Sequence, residues 1–378
     1  MTADRRELRR HTPVARVLLR AADLLHRSTT RVQEAAADLD HILAGQPITL
    51  VPALDRAFRD AGLHHDLGLA FLDLRAPDLE RIERLGAATS GALGVASLVR
   101  DGRAREAAVV RLAHRVDRLG TAFLINRLND YVGPVGGLAW TGLQPRLTAR
   151  HAALVVRCLP LIDRMSEWVR AGVDQRRALQ QVVRSPAARP ALWDSLRDRD
   201  LALMRAAARV LVSLHRGQPE IRDVLAAALG RRDQQLRIWA AQLAFDPAVT
   251  PSSVLQELAP KLSADRNPAV RVAGARGFAA RDDRDALVRA TFDPHGLVRH
   301  HARILLAGKF GAIDYRGRAL AVLAEPDAAR TALVGALANL SEFGRRPDIP
   351  LVAAFVADAR PSVAREAQRT LELLERLP

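Results

Sequence analysis

Lysine is almost missing from this chain: of its 57 Lys and Arg residues only Lys261 and Lys309 are lysines. Aromatic residues make up 4% of the 378 positions, and there is a single cysteine, Cys158. Each shortage excludes something. One thiol closes no intrachain disulfide and builds no Cys-based metal site. It reads as a small buried hydrophobe in the helical stretch 152–159, and the lack of a disulfide framework fits a reducing compartment. Scarce aromatics and few β-branched runs argue against sheets, while abundant Leu, Ala, Val and Arg favour helices. No apolar run approaches the ~20 residues of a membrane span. The N-terminal segment mixes Arg with Asp and Glu, unlike a signal peptide. The expectation is a soluble, cytoplasmic protein that does not engage a membrane.

Catalytic signatures are also lacking. There is no Gly-x-Ser-x-Gly elbow, Walker loop or His-Glu-x-x-His pair. His64, His65 and Asp66 cluster metal-type ligands, but successive residues on a helix point about 100° apart and do not readily share one ion. His300 and His301 follow Arg299 at a helix start and read as structural. Asp282, Asp283 and Asp285 alternate with Arg281 and Arg284, a self-neutralised turn. The glycine-rich stretch from Gly133 to Pro145 and the segment 341–348 break the spacing and read as turns. Neither has the strand-then-helix context of a phosphate cradle. No catalytic residue, metal or cofactor is assigned, and the chain reads as a non-enzyme.

What the sequence does have is arginine at a period. Asp265, Pro268, Val270 and Arg271 open one unit, and Asp293, Pro294, Val298 and Arg299 the next. Asp358, Pro361, Val363 and Arg365 repeat the order with one residue inserted. Asp233, Leu236 and Arg237 repeat it with two missing. Weaker copies extend the series to marks at 105, 136, 170, 205, 237, 271, 299, 330 and 365, spaced 28 to 35 residues apart. Repeats of that period are stacked helix pairs. Pro268 suits the first turn of a helix, and Asp265 can serve free amides just ahead of it. Val270, Ala273, Gly274, Gly277 and Phe278 then fall on one helical face.

This pattern resembles the HEAT-repeat family, in which the second helix of each repeat opens with Asp-x-x-x-x-Val-Arg. The resemblance covers residues 91–378 as about eight to nine repeats. It implies an all-α fold, a right-handed α-solenoid (superhelix) of stacked antiparallel helix pairs. Residues 1–90 are helical but out of register and read as divergent repeats or an N-terminal cap. The charged helix 363–377 reads as the opposite cap. The resemblance also implies that Asp and Arg of adjacent repeats hydrogen-bond in a structural ladder. Asp265, Arg271, Asp293 and Arg299 would belong to it, with Arg237 and Arg365 at the corresponding positions.

Net charge is +15, and residues 101–300 carry +12 of it. The non-ladder arginines Arg146, Arg150, Arg157, Arg176, Arg177, Arg231, Arg232, Arg276 and Arg303 are the candidate anion or nucleic-acid contacts. Two functions follow. Stacked helix pairs present a long concave surface that binds a protein or peptide, which makes the chain a non-catalytic interaction scaffold. Alternatively an arginine-rich concave face follows a phosphate backbone, as in a HEAT-like protein of DNA repair. Few aromatics leave few stacking platforms for single strands. The HEAT-like alkylpurine DNA glycosylases place an Asp four residues after a Trp in one helix. Here the residues four beyond Trp140, Trp168, Trp193 and Trp239 are Gln144, Gly172, Arg197 and Leu243, so that motif is absent.

Overall fold

The computed structural model describes residues 12–60, 63 and 73–377. His64, His65 and Asp66 lie outside the described residues. Among the described residues there are helices and no strand. The chain packs as two compact units, Met1–Leu214 and His215–Pro378. That division differs in kind from the change of register near residue 90, because the helices on both sides of residue 90 pack together in the first unit.

The first unit holds α1 (Pro13–Asp23), α2 (Thr29–Ala44), α3 (Leu50–Ala57), α4 (Ala76–Arg84) and α5 (Ser90–Ala96). It continues with α6 (Gly102–Ala113), α7 (Arg118–Arg127), α8 (Gly133–Leu143), α9 (Ala152–Val156) and α10 (Leu159–Arg164). Then come α11 (Val173–Arg184), α12 (Arg189–Ser195) and α13 (Leu201–His215), which ends at the boundary. Starts are set by short polar side chains. Thr12 accepts from Ala15 N at 3.2 Å, Asp101 from Ala104 N at 2.7 Å and Asp117 from Gly120 N at 2.8 Å, each satisfying an amide the helix itself leaves free. Helix α2 packs on α5, and α3 on α7, so the N-terminal helices share the core of the repeats after them.

One expectation fails here. The stretch from Gly133 is not a turn but the helix α8. Pro134 fits its first turn, and Val135, Ala139 and Leu143 recur every fourth residue as a buried stripe. Gly142 lets α6 close in: a Cβ there would lie 2.9 Å from the Ala113 Cβ. The apolar period outweighs the low helix propensity of glycine.

The second unit holds α14 (Ile221–Leu229), α15 (Gln234–Ala244), α16 (Ser252–Ser263), α17 (Pro268–Ala280), α18 (Arg284–Ala290) and α19 (Gly296–Phe310). It ends with α20 (Tyr315–Ala324), α21 (Arg330–Phe343), α22 (Ile349–Ala353) and α23 (Pro361–Glu375). These pair in sequence as antiparallel partners, and α15, α17 and α19 stack side by side. Val270, Ala273, Gly274, Gly277 and Phe278 of α17 are all buried. The two glycines admit α16, whose Ser263 backbone would lie 2.5 Å from a Cβ at Gly274. The segment 341–348 is a turn only in part, since α21 runs to Phe343 and residues 346–348 form a 3-10 turn. No helix is long and apolar enough to cross a membrane among the described residues.

Candidate functional site

The polar architecture is built on one repeated device. Arg271 donates from Nε and Nη2 to both oxygens of Asp293, at 2.7 and 2.8 Å. Its Nη1 donates back to the carbonyls of Asp265 and Arg266 at 3.0 and 3.1 Å. Asp293 in turn accepts from His295 N at 2.8 Å, which fixes the carboxylate at the mouth of α19. Arg237 does the same one repeat earlier, reaching Asp265 at 2.8 Å and the carbonyls of Arg231 and Arg232 at 3.0 Å each. Asp265 accepts from Asn267 N at 2.7 Å. The guanidinium therefore ties together two turns that no backbone ladder joins, and a fork of fixed geometry is what the task needs.

The first unit contains the same device where the sequence reading assigned none. Arg105 donates to Asp130 at 3.1 and 3.2 Å and to the carbonyls of Val99 and Arg100 at 3.0 and 2.8 Å. Asp130 accepts from Val132 N at 2.9 Å and from Arg127 at 2.8 Å. The Arg105 and Asp130 side chains are 1% and 0% exposed, so this rung is the most deeply buried of the series. Arg105 stands at a marked repeat position; what hid the pair was Gly136, which occupies the arginine position of the repeat that supplies Asp130.

Two ladder expectations are corrected. Arg299 keeps its backward bonds, to the carbonyls of Asp293 and Pro294 at 3.0 and 2.9 Å. Forward, however, it meets Glu342 at 2.7 Å rather than an Asp of the next turn. Arg–Asp rungs span 22 to 28 residues, whereas Arg299 to Glu342 spans 43. The end of α21 thus occupies the place its preceding turn would take in a regular stack. Arg365 joins no rung: it is exposed and bonds Pro361 O of its own helix at 3.2 Å. The extra residue before it shifts the guanidinium off the ladder edge. The matching Asp358 is held by Arg360 instead, whose hydrogen bonds bring the Asp358 carboxyl down to about 2.

Two of the anion candidates are also corrected. Arg146 is 1% exposed and donates to the carbonyls of Leu112, Ala113 and Arg115 at 3.1, 3.1 and 2.8 Å, and to Gly142 O. It caps the end of α6, where carbonyls lack helical partners and the dipole favours a cation. Arg303 is 14% exposed. It binds Glu342 and Asn339 and lies 4.6 Å over Phe343 and 5.2 Å over Tyr315, rings that stack at 5.1 Å. Burial pushes the Glu342 carboxyl up, but hydrogen bonds from Arg303 and Arg299 outweigh it and leave the group below the usual range. Next to it, burial raises Glu366, whose Oε1 has no hydrogen bond.

The other candidates lie on separate elements. Arg176 and Arg177 are in the first turns of α11, and Arg177 pairs with Asp174 at 3.1 Å. Arg150 and Arg157 flank α9, and Arg157 shares a 330 Å³ pocket with Arg118, Arg199, Asp198 and Asp200, where acid offsets base. Arg231 and Arg232 form the turn before α15 and lend their carbonyls to Arg237. Arg276 is exposed, 5.1 Å over Phe245. Cys158 is buried and its thiol is pushed up to about 12 by burial, which makes it a poor nucleophile. Asp283 caps α18 through Ala286 N at 3.0 Å, and Asp282 binds Lys309 at 2.5 Å, so the acidic turn is structural. Burial lowers His301 further from the charged form, with Arg276 and His300 adding to it.

No family model matches the chain, and no curated protein matches it. Among solved structures the chain is similar to a crystal structure of a Kap121p mutant, at 14% identity and a TM-score of 0.26. The alignment covers 96% of this chain and 45% of that one, so the chain spans less than half the length of that structure.

Proposed function

We propose that the chain is a non-catalytic interaction scaffold whose repeat surface binds a protein or peptide partner. The observation that supports this reading is the ladder. Arg105, Arg237 and Arg271 spend their charge on holding successive turns in register. Such rungs stiffen each unit repeat by repeat, and repeat stacks of this kind present surfaces to partners. On this reading the N-terminal region 1–90 supplies divergent repeats or a cap, and neither metal nor cofactor is required. A single buried thiol suits a cytoplasmic setting.

Nucleic-acid binding is the second reading, and the exposed Arg150, Arg157, Arg177, Arg232 and Arg276 favour it. Two assays on the purified full chain separate the readings. One is anisotropy against labelled duplex DNA, single-stranded DNA and RNA across salt. The other is selection of displayed random peptides followed by titration of the synthetic winners. Saturable binding of selected peptides, with no oligonucleotide bound at about 0.15 M salt, supports the scaffold. Tight oligonucleotide binding that weakens steeply with salt, the mark of counterion release, together with no peptide enrichment, sinks it.

A further inference from the structure

In the second unit the end of α21 slips over the start of α19, and the slip leaves a site. The repeat from Arg271 to Arg299 is the shortest in the chain. Its first helix, α18, has 7 residues against 12 in α16 and 10 in α20. At 1.5 Å per residue, α18 falls short of α16 by about 7.5 Å. The next pair does not close the gap, because the end of α21 sits over the start of α19. Asn339 Nδ2 donates to Thr291 O at 3.0 Å, and Arg299 and Arg303 reach Glu342. Gly335 presses on the Phe292 carbonyl so closely that no Cβ fits.

What opens beside this slip is a cavity of about 760 Å³, within the size range of ligand pockets. Its floor is apolar: Val288, Phe292, Pro294, Val322 and Ala332. Arg289 and Arg318 stand on its rim, both exposed, and neither guanidinium makes a hydrogen bond or ion pair with another described residue. Glu325 is the one rim carboxylate outside the Arg271–Asp293 rung, whose charges cancel. A second cavity of about 440 Å³ shares Ser263, Arg271, Arg289 and Asp293 with the first. The two form a trough crossing successive inter-repeat gaps. Neighbouring helices lie about 10 Å apart, so each gap spans roughly three residues of extended chain.

We propose that this trough binds an extended acidic peptide, seating a bulky apolar side chain over Phe292 and Val322 while flanking carboxylates meet Arg289 and Arg318. The shape favours a chain over a compact solute. Two uncommitted guanidiniums beside an apolar floor call for a ligand that is apolar and anionic at neighbouring positions. The inference rests on the scaffold reading and adds the partner's chemistry and its place.

The test uses the full chain and a fluorescein-labelled peptide alternating Glu with Phe and Leu, titrated by anisotropy. Two control peptides replace the Phe and Leu by Ser, or the Glu by Lys. Arg289→Glu combined with Arg318→Glu removes the attraction, and Ala321→Trp fills the cavity from its wall. Arg103→Glu combined with Arg189→Glu changes charge equally in the other unit, at two exposed positions. The expected result is saturable binding of the acidic apolar peptide alone. Affinity falls at least about tenfold in the Arg289/Arg318 variant and in Ala321→Trp, and is unchanged in the Arg103/Arg189 variant. Circular dichroism melts matching the parent show that the variants fold. Equal affinity in the Arg289/Arg318 variant, equal binding of the Ser peptide, or no binding of the acidic apolar peptide overturns the inference. Display-selected peptides that bind this variant and the parent alike overturn the trough and leave the scaffold standing. Failure of every selected peptide overturns the scaffold itself.

Discussion

At the scale of the residue, the chain's arginines divide by what they can reach. Arg105, Arg237 and Arg271 each hold two carbonyls behind and a carboxylate ahead, and Arg146 holds only carbonyls. A buried guanidinium is tolerable in both arrangements because most of its donors are filled; at Arg146 only Nε is left without a partner. The rungs differ in depth, and depth sets their worth. Arg105→Ala strips a rung that is about 1% exposed and is expected to cost about 3–5 kcal/mol. Arg271→Ala acts where the side chains are 16% and 12% exposed, so water softens the loss to about 1–3 kcal/mol. Urea denaturation of both variants checks the order; Arg271→Ala costing as much as Arg105→Ala would refute the link between burial and contribution. The Arg271 rung is legible in sequence because Asp, Pro, Val and Arg recur at fixed offsets. The Arg105 rung is harder to read, since its two halves lie in repeats that each lack part of the pattern. Arg146 is not legible: its role depends on where the end of α6 falls in space.

At the scale of the element, local signals and packing disagree at two places. Glycines hid α8 as a helix, although Val135, Ala139 and Leu143 kept the period. The slip of α21 has no sequence signal apart from the short repeat before it, because it depends on which surfaces fit once α18 proves too short. Gly335 is the residue that makes the slip possible. Gly335→Ala would drive a methyl into the Phe292 carbonyl, backbone against backbone, and is expected to destabilise by about 1–3 kcal/mol. Gly308→Ala is the matched control, since a Cβ there meets nothing within 4 Å. Helix propensity alone should make it neutral or stabilising by up to about 1 kcal/mol. Thermal melts of the two variants decide it. If Gly335→Ala melts with the parent, α21 is free to move off α19 and the close approach is not needed for folding.

At the scale of the whole molecule, the repeat marks run on evenly at 205 and 237, so nothing in the spacing reveals that the chain packs as two units divided after Leu214. Period reports the repeat; it does not report how strongly one repeat holds the next. In a stack where each pair touches only its neighbours, stability is a sum of local terms, and a lost rung should loosen its own surroundings first. Hydrogen exchange read by mass spectrometry makes this visible. Arg105→Ala should speed exchange in α5 to α8, around the Arg105–Asp130 rung, and leave α17 and α19 near their parent rates. Arg271→Ala should do the reverse, around Asp293. Faster exchange spread evenly over both units in either variant would mean that the chain opens as one cooperative body. The rungs would then set global stability rather than local register, and a rigid surface assembled repeat by repeat would no longer describe the molecule.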